Sequence, residues 1–246
     1  MRVELIDWTG KGTGDPWYAA ALLIFTKNTR VTMKTSALDE ITSWDEEKKT
    51  EELRYMSRTI PSSWEFVDYT FVVSDVTRAF THQVVRTRTG SYAQQNLSVQ
   101  VAKEFDARVG PSISDDPALS QLYEDCVKNI QRTYDDLVKL GAKVEDARGL
   151  LPTNILNNIV IKWDLRTCCE TFRKRASSER GHGEYHEVIA LMKRAILEVH
   201  PWAIIFLERG ADLASREAYE LISRVEGKEL RMNLSKAVDE IMTRGD

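Results

Sequence analysis

The chain has 246 residues, of which 42% are hydrophobic and 29% charged, and its formal net charge is −4. This length suits one large domain or two small ones, and the composition is typical of a soluble globular protein with its own core. No apolar run approaches the roughly 20 residues that cross a bilayer, and acidic residues interrupt the first apolar stretch, unlike a secretory signal. We therefore expect a cytoplasmic protein without membrane or nucleic-acid partners, because a net negative charge gives no general attraction for a polyanion.

The cysteines do not predict a disulfide framework or a metal site. There are three, which is an odd number, and Cys168 and Cys169 are adjacent, a poor arrangement for a local bridge. None of them, Cys126 included, has the spacing of metal ligands. We expect reduced cysteines that serve mostly as packing residues, and no metal.

The first third of the chain alternates strand and helix patterns. Residues 3–8 predict a short strand, and a glycine-rich turn at 10–14 leads into a helix opened by Asp15 and Pro16, an N-cap residue followed by proline. Residues 38–55 predict one charged helix. Residues 64–73 are apolar on both faces, which predicts a strand covered on two sides in the middle of the domain.

The rest of the chain is mainly helical in pattern. Apolar residues at three- and four-residue spacing over 117–140 predict an amphipathic helix that stops at Gly141. Residues 154–163 are β-branched and apolar, whereas 166–175 and 184–199 return to the helical period. The pattern predicts a mixed α/β domain over residues 1–210 and an exposed helical appendage over 211–246.

Two clusters of arginine are candidates for ligand binding. Arg86 and Arg88 leave a predicted helix and enter a loop rich in hydroxyls and amides, which is suited to phosphates and a planar heterocycle. The alternative for this cluster is a solvated polar loop with salt bridges. Arg148, Arg166 and Arg175 form the second cluster, for which the alternative is a set of cations on an exposed helix. Residues 166 and 175 would lie about 180° apart on one helix, so they would not clamp one small group unless the helix lies between two ligands or two subunits.

The joint pattern resembles the flavin-dependent thymidylate synthases. The similarity runs in order from about Trp64 to Trp202 with nearly constant spacing. The matching positions are Pro61, Trp64, Glu65, Gln83, Arg86, Arg88, Arg148, Leu151, Pro152, Asp164, Leu165, Arg166, Arg175 and Glu184.

Several positions depart from the family pattern. Thr87 stands where the family has histidine, and Asp164 and Glu170 replace two asparagines that usually face the flavin. In the loop after Arg88, a two-residue insertion would keep the family's serine as Ser98. The same alignment places Gln100 where the family has a phosphate-binding arginine.

The resemblance implies the thymidylate-synthase-complementing-protein fold, in which helices flank a central, mostly antiparallel sheet. It also implies FAD, NADPH and methylenetetrahydrofolate as cofactors and substrates, dUMP as the methyl acceptor, dTMP as product and a homotetramer. The flavin contacts implied are Arg86, Thr87, Arg88, Asp164, Arg166 and Glu170. The nucleotide contacts implied are Gln83, Arg86, Asn96, Ser98, Gln100, Arg148 and Arg175. Arg175 is implied as the catalytic group, beside the uracil.

Two alternatives remain open at this level. The altered loop and the acidic residues at positions 164 and 170 favour, as a second hypothesis, a flavin enzyme that methylates or hydroxymethylates UMP or another uracil nucleotide at C5. A third is a flavin- or nucleotide-binding module without turnover. His182 and His186, which follow Arg175, are further candidates to reach a bound ligand.

Overall fold

A computed structural model describes residues 1–29, 34–97, 105–176 and 183–208, together with scattered residues between 218 and 238. Its four strands are β1 (Arg2–Trp8), β2 (Asp68–Thr77), β3 (Ser91–Gln94) and β4 (Leu156–Asp164). The described helices, apart from short 3-10 turns, are α1 (Tyr18–Asn28), α2 (Ser36–Thr42), α3 (Glu46–Ser57), α4 (Arg78–Val84), α5 (Pro111–Ser114), α6 (Pro117–Lys139), α7 (Val144–Ala147), α8 (Leu165–Ala176), α9 (Gly183–Val199) and α10 (Ile204–Leu207).

The four strands form one antiparallel sheet in the order β1-β2-β4-β3. Phe71 of β2 lies opposite Leu5 of β1 on one side and Ile161 of β4 on the other, and Ile161 is opposite Tyr92 of β3. The prediction of a mixed α/β fold with a central antiparallel sheet is confirmed. The long connections between paired strands carry the helices that pack on the sheet.

One face of the sheet carries the main core. The side chains that alternate along β2 and β4 on this face are buried, namely Tyr69, Phe71, Val73, Ile159, Ile161 and Trp163. The residues between them in β2, including Thr70 and Val72, are only half-buried. Within the described ranges of one chain, β2 is central in the sheet, as predicted, whereas its second face is only half-covered.

The start of this strand also differs from the prediction. Residues 61–66 form a 3-10 turn that begins at Pro61, and β2 begins at Asp68. Trp64 turns inward, with its ring centroid 4.9 Å from that of Phe206, so its apolar character reflects packing and not strand structure. Proline restricts the backbone to φ near −65°, which suits the first position of such a turn.

The predicted charged helix over 38–55 is two helices. α2 ends at Thr42, and the carboxylate of Asp45 accepts a hydrogen bond from the backbone N–H of Lys48 at 2.8 Å, which caps the start of α3. The first helix likewise begins later than predicted, at Tyr18, because Asp15 caps a turn by accepting from the N–H of Trp17 at 2.8 Å. Aspartate side chains accept hydrogen bonds from nearby backbone N–H groups, which favours a turn or a helix start at these positions over a helix interior.

The other predicted elements are confirmed within one to two residues. α6 begins after Asp116, whose carboxylate accepts from the N–H groups of Ala118 and Leu119, and it is followed by Gly141 at φ +97°. β1, β4, α8 and α9 match the predicted strand and helix patterns.

The predicted C-terminal appendage over 211–246 lies mostly outside the described residues. Its division from the domain over residues 1–210 therefore stays a prediction. Across the described ranges, no helix has both the length and the apolar character that a membrane span requires.

The three cysteines are free thiols. Cys168 and Cys169 are buried in α8, and burial raises the pKa of both, that of Cys169 to about 12. They are packing residues, as predicted, whereas Cys126 is exposed on α6. A thiol that stays protonated at neutral pH is a poor nucleophile, so the buried pair is chemically inert.

Candidate functional site

A groove of about 460 Å³ lies between the turn that follows α4 and the second half of α8. It is lined by Gln83, Arg86, Thr87, Arg88, Thr89, Glu170, Thr171, Lys174 and Arg175. The fold thus brings the first arginine cluster to the C-terminal end of α8, although these segments are more than 80 positions apart in the chain.

The groove carries an excess of positive charge. Among the described residues that line it, four are basic and Glu170 is the one acidic residue. Neither Arg86 nor Arg88 has a carboxylate partner among the described residues, whereas Lys174 lies 4.0 Å from Glu170. Unpaired guanidinium groups beside threonine hydroxyls form a site for an anionic ligand with several hydrogen-bond acceptors.

The turn that carries Arg86 and Arg88 is held by hydrogen bonds from the sheet. The hydroxyl of Tyr92 donates to the carbonyl of Thr87 at 2.5 Å and accepts from the indole N–H of Trp163 at 2.9 Å. Gly90 lies against this pair, and a Cβ at that position would stand 2.4 Å from the Trp163 ring and 2.7 Å from the Tyr92 hydroxyl. The close approach requires glycine, and it fixes the position of the two arginines.

α4, which leads into this turn, is anchored by a buried polar network. The side-chain amide of Gln94 donates to the Thr81 hydroxyl at 2.6 Å and to the Asn157 carbonyl oxygen at 3.1 Å. Thr81 and Asn157 are both fully buried. Because each of these polar groups has a partner, the network costs little stability and orients the helix relative to β3 and β4.

Glu184, a position matched in the resemblance, has a structural role in this chain. Its carboxylate is buried and accepts from the backbone N–H of Thr77 at 2.9 Å and from the Thr77 hydroxyl. Arg108 pairs with it at 3.2 Å and with Glu187 at 2.8 Å, and these contacts, led by the bond to Glu187, raise the pKa of Arg108. The start of α9 is thereby joined to the junction of β2 and α4.

Arg175 lies in the last turn of α8 and faces an aromatic ring. Its guanidinium carbon is 4.2 Å from the ring centroid of Tyr185, at the start of α9. Tyr185 is 1% exposed and packs edge-on against Phe80 of α4 at 5.1 Å. Sequence reasoning missed Tyr185, although it belongs to the same buried helical stripe as Val188 and Met192.

Two of the predicted flavin contacts do not line the groove. Asp164 caps α8 by accepting from the backbone N–H of Thr167 at 2.7 Å, and burial raises the pKa of its carboxyl group. Arg166, in the first turn, forms ion pairs with Glu65 at 2.6 Å and Glu170 at 3.0 Å. The separation of Arg166 from Arg175 along α8 therefore places the first outside the groove and the second within it, as the helical spacing predicts.

Part of the predicted nucleotide set lies away from the groove. Arg148 is not among the residues that line the groove. Its charge, together with burial as the larger cause, lowers the pKa of Arg78 at the start of α4. Asn96 follows the end of β3, whereas the arginine turn precedes that strand. Ser98, Gln100 and His182 lie outside the described residues, and His186 is half-buried on α9.

The fold and the groove together indicate a nucleotide-binding class of protein. An antiparallel sheet with flanking helices carries a basic, hydroxyl-rich groove, and such grooves are typical of sites for phosphates and planar heterocycles. The threonine hydroxyls and the side-chain amide of Gln83 add hydrogen-bonding groups for a heterocycle.

Comparison with known protein families shows which family the chain belongs to. The family model described as "Thymidylate synthase complementing protein" matches residues 4–202, which is most of the chain. The chain belongs to this family.

Curated relatives support the same assignment. Proteins named flavin-dependent thymidylate synthase from Saccharolobus solfataricus and Sulfurisphaera tokodaii are 28% and 29% identical to it; both alignments cover 82% of this chain, and 74% and 75% of those proteins respectively. One of the same name from Geobacter sulfurreducens is 31% identical over 64% of this chain and 67% of its own length.

Proposed function

We propose that the chain is a flavin-dependent thymidylate synthase, which transfers the methylene group of methylenetetrahydrofolate to C5 of dUMP to produce dTMP. The observation that carries this proposal is the meeting of Arg86, Arg88 and Arg175 in one groove, within a chain that belongs to the family. FAD is the cofactor, and NADPH is the reductant that we propose for it.

The lining residues fit a flavin dinucleotide. Arg86 and Arg88, without carboxylate partners among the described residues, would hold its phosphates, and the side chains of Thr87 and Glu170 would contact the ring system. When bound, the flavin supplies the redox chemistry of the reaction, so no nucleophilic cysteine or serine is needed. Gln83 and Arg86 would bind and orient the nucleotide at the end of α4.

Arg175 is the residue we propose as catalytic. A guanidinium held beside the uracil favours ionisation at N3 and makes C5 more nucleophilic. A preorganised charge is effective because it costs no reorganisation during the reaction and acts where water is excluded. The position of its guanidinium carbon, 4.2 Å from the ring centroid of Tyr185, supports this assignment.

We also propose a homotetramer whose sites combine residues from more than one subunit. Arg148, which the resemblance implies as a nucleotide contact, does not line the groove that holds Arg86 and Arg175. A second copy of the chain would supply its Arg148 to this groove. The half-buried face of the sheet, with Val72 and Val160 at its centre, is available for such a contact. The cytoplasmic location stays a prediction from the sequence.

The proposal is tested by incubating the purified full chain with FAD, NADPH, methylenetetrahydrofolate and either dUMP or UMP. We expect dUMP to gain a methyl group, as measured by mass analysis of the nucleotide. A reaction without methylenetetrahydrofolate is the control, because it shows whether the transferred carbon comes from the folate. Flavin binding without any modified nucleotide would contradict the proposal and support the non-catalytic binding module.

A related enzyme is the second candidate. Glu170 lines the groove where the family has asparagine, which favours an altered substrate or product, such as UMP as acceptor or a hydroxymethyl group as the transferred unit. The same mass analysis separates these outcomes, because a hydroxymethyl product carries one more oxygen than a methyl product.

A further inference from the structure

We propose that Tyr185 is a positioning residue for Arg175, and that the face of its ring holds the guanidinium in the orientation in which it acts on the bound nucleotide. This inference rests on the function proposed for the groove. The two side chains come from different helices, and the guanidinium carbon lies 4.2 Å from the ring centroid.

Arg175 needs such a partner. It is the second-last residue of α8, where a long and flexible side chain projects towards an open groove. Among the described residues it has no carboxylate partner, so no ion pair sets its direction. A cation over a ring face is held by electrostatic attraction, and this contact changes an equilibrium by roughly two- to thirtyfold.

Tyr185 is well placed for this role because the ring itself is rigid. It is 1% exposed, and its edge-on contact with Phe80 at 5.1 Å fixes the ring against α4, the helix that leads to the arginine turn. Tyr185 therefore contacts Arg175 of α8 on one side and, on the other, Phe80 of the helix that leads to Arg86. Its buried hydroxyl lies near Thr87 and Arg175, so comparison of Tyr185→Phe with Tyr185→Leu separates the contribution of the hydroxyl from that of the ring face.

The first test compares Tyr185→Leu with Tyr185→Phe in the full chain with FAD. We expect Tyr185→Leu to lower kcat for nucleotide alkylation about tenfold with KM nearly unchanged, and Tyr185→Phe to stay within about twofold of the wild type. Phe71→Leu is the matched control, since it removes a fully buried aromatic ring of the core that packs against Tyr69 instead of Tyr185.

A second measurement reports on Arg175 without any turnover. The rate at which phenylglyoxal modifies Arg175, followed by peptide mass mapping, should rise several-fold in Tyr185→Leu and stay near the wild-type rate in Tyr185→Phe and Phe71→Leu. If the wild type shows no alkylation but Tyr185→Leu shows this increase, the positioning role stands and the proposed function fails.

Two outcomes would overturn the positioning role. Equal losses of kcat in Tyr185→Leu and Tyr185→Phe would assign the effect to the hydroxyl. An unchanged modification rate of Arg175 in Tyr185→Leu, with the same losses of stability and kcat as in Phe71→Leu, would show that Tyr185 only fills the core.

Discussion

Gly90→Ala tests whether the packing beneath the arginine turn controls ligand binding. The new Cβ would stand 2.4 Å from two atoms of the Trp163 ring and 2.7 Å from the Tyr92 hydroxyl. The tryptophan is 1% exposed and does not move away without disturbing the core. The turn itself must therefore shift, and with it Arg86 and Arg88.

The expected loss of stability follows from two contributions. Overpacking in a filled core costs about 1–3 kcal/mol. Displacement of Tyr92 weakens its hydrogen bonds to Trp163 and to the Thr87 carbonyl, at about 1 kcal/mol for such a bond. Together these amount to a destabilisation of about 2–4 kcal/mol. FAD affinity should fall at least about tenfold, because the two cations leave their positions.

The assay is urea unfolding of the FAD-free protein, followed by FAD titration of the folded protein under the same conditions. Gly12→Ala is the matched control, since a Cβ at that position meets no atom within 4 Å. Its midpoint and FAD affinity should match the wild type. If Gly90→Ala unfolds within about 0.5 kcal/mol of the wild type and binds FAD normally, the proposed link between Gly90 packing and the arginine turn is wrong.

Three further predictions concern single charges. Arg175→Ala should slow nucleotide alkylation at least about a hundredfold with FAD still bound, as a preorganised charge contributes roughly 3 kcal/mol, whereas Lys174→Ala should have little effect; equal losses in kcat would indicate a general basic surface. Glu170→Gln should tighten FAD binding a few-fold, because it removes a negative charge from the groove. Glu65→Gln is the control: it also removes an ion-pair partner of Arg166, but outside the groove, so FAD titration should show no change in affinity. Equal effects of the two changes would show that the charge in the groove lining is not the cause. Burial lowers the pKa of His200 to about 4 from an ordinary 6.5, so the stability that the neutral imidazole contributes is complete above pH 6.5 and is lost as the pH falls towards 4. His200→Gln should therefore make the free energy of unfolding depend less on pH across this range, by up to roughly 3 kcal/mol. An unchanged dependence of the unfolding free energy on pH would refute this prediction.

The sequence alone determined the types of most elements and the family resemblance. Helix and strand periodicity is a local property, so α6, α8, α9, β1 and β4 were predictable from patterns of apolar residues. The spacing of Gln83, Arg86, Arg88, Arg148 and Arg175 was sufficient to suggest the family that the comparison then showed.

Only the tertiary structure decided which of these side chains meet. Asp164 caps α8 and Arg166 forms ion pairs, and Arg148 does not line the groove. Tyr185 carried no motif and was found only through its contact with Arg175. The physical reason is that contacts between α4, α8 and α9 depend on long-range packing against one sheet, which the spacing of residues within a single helix does not contain.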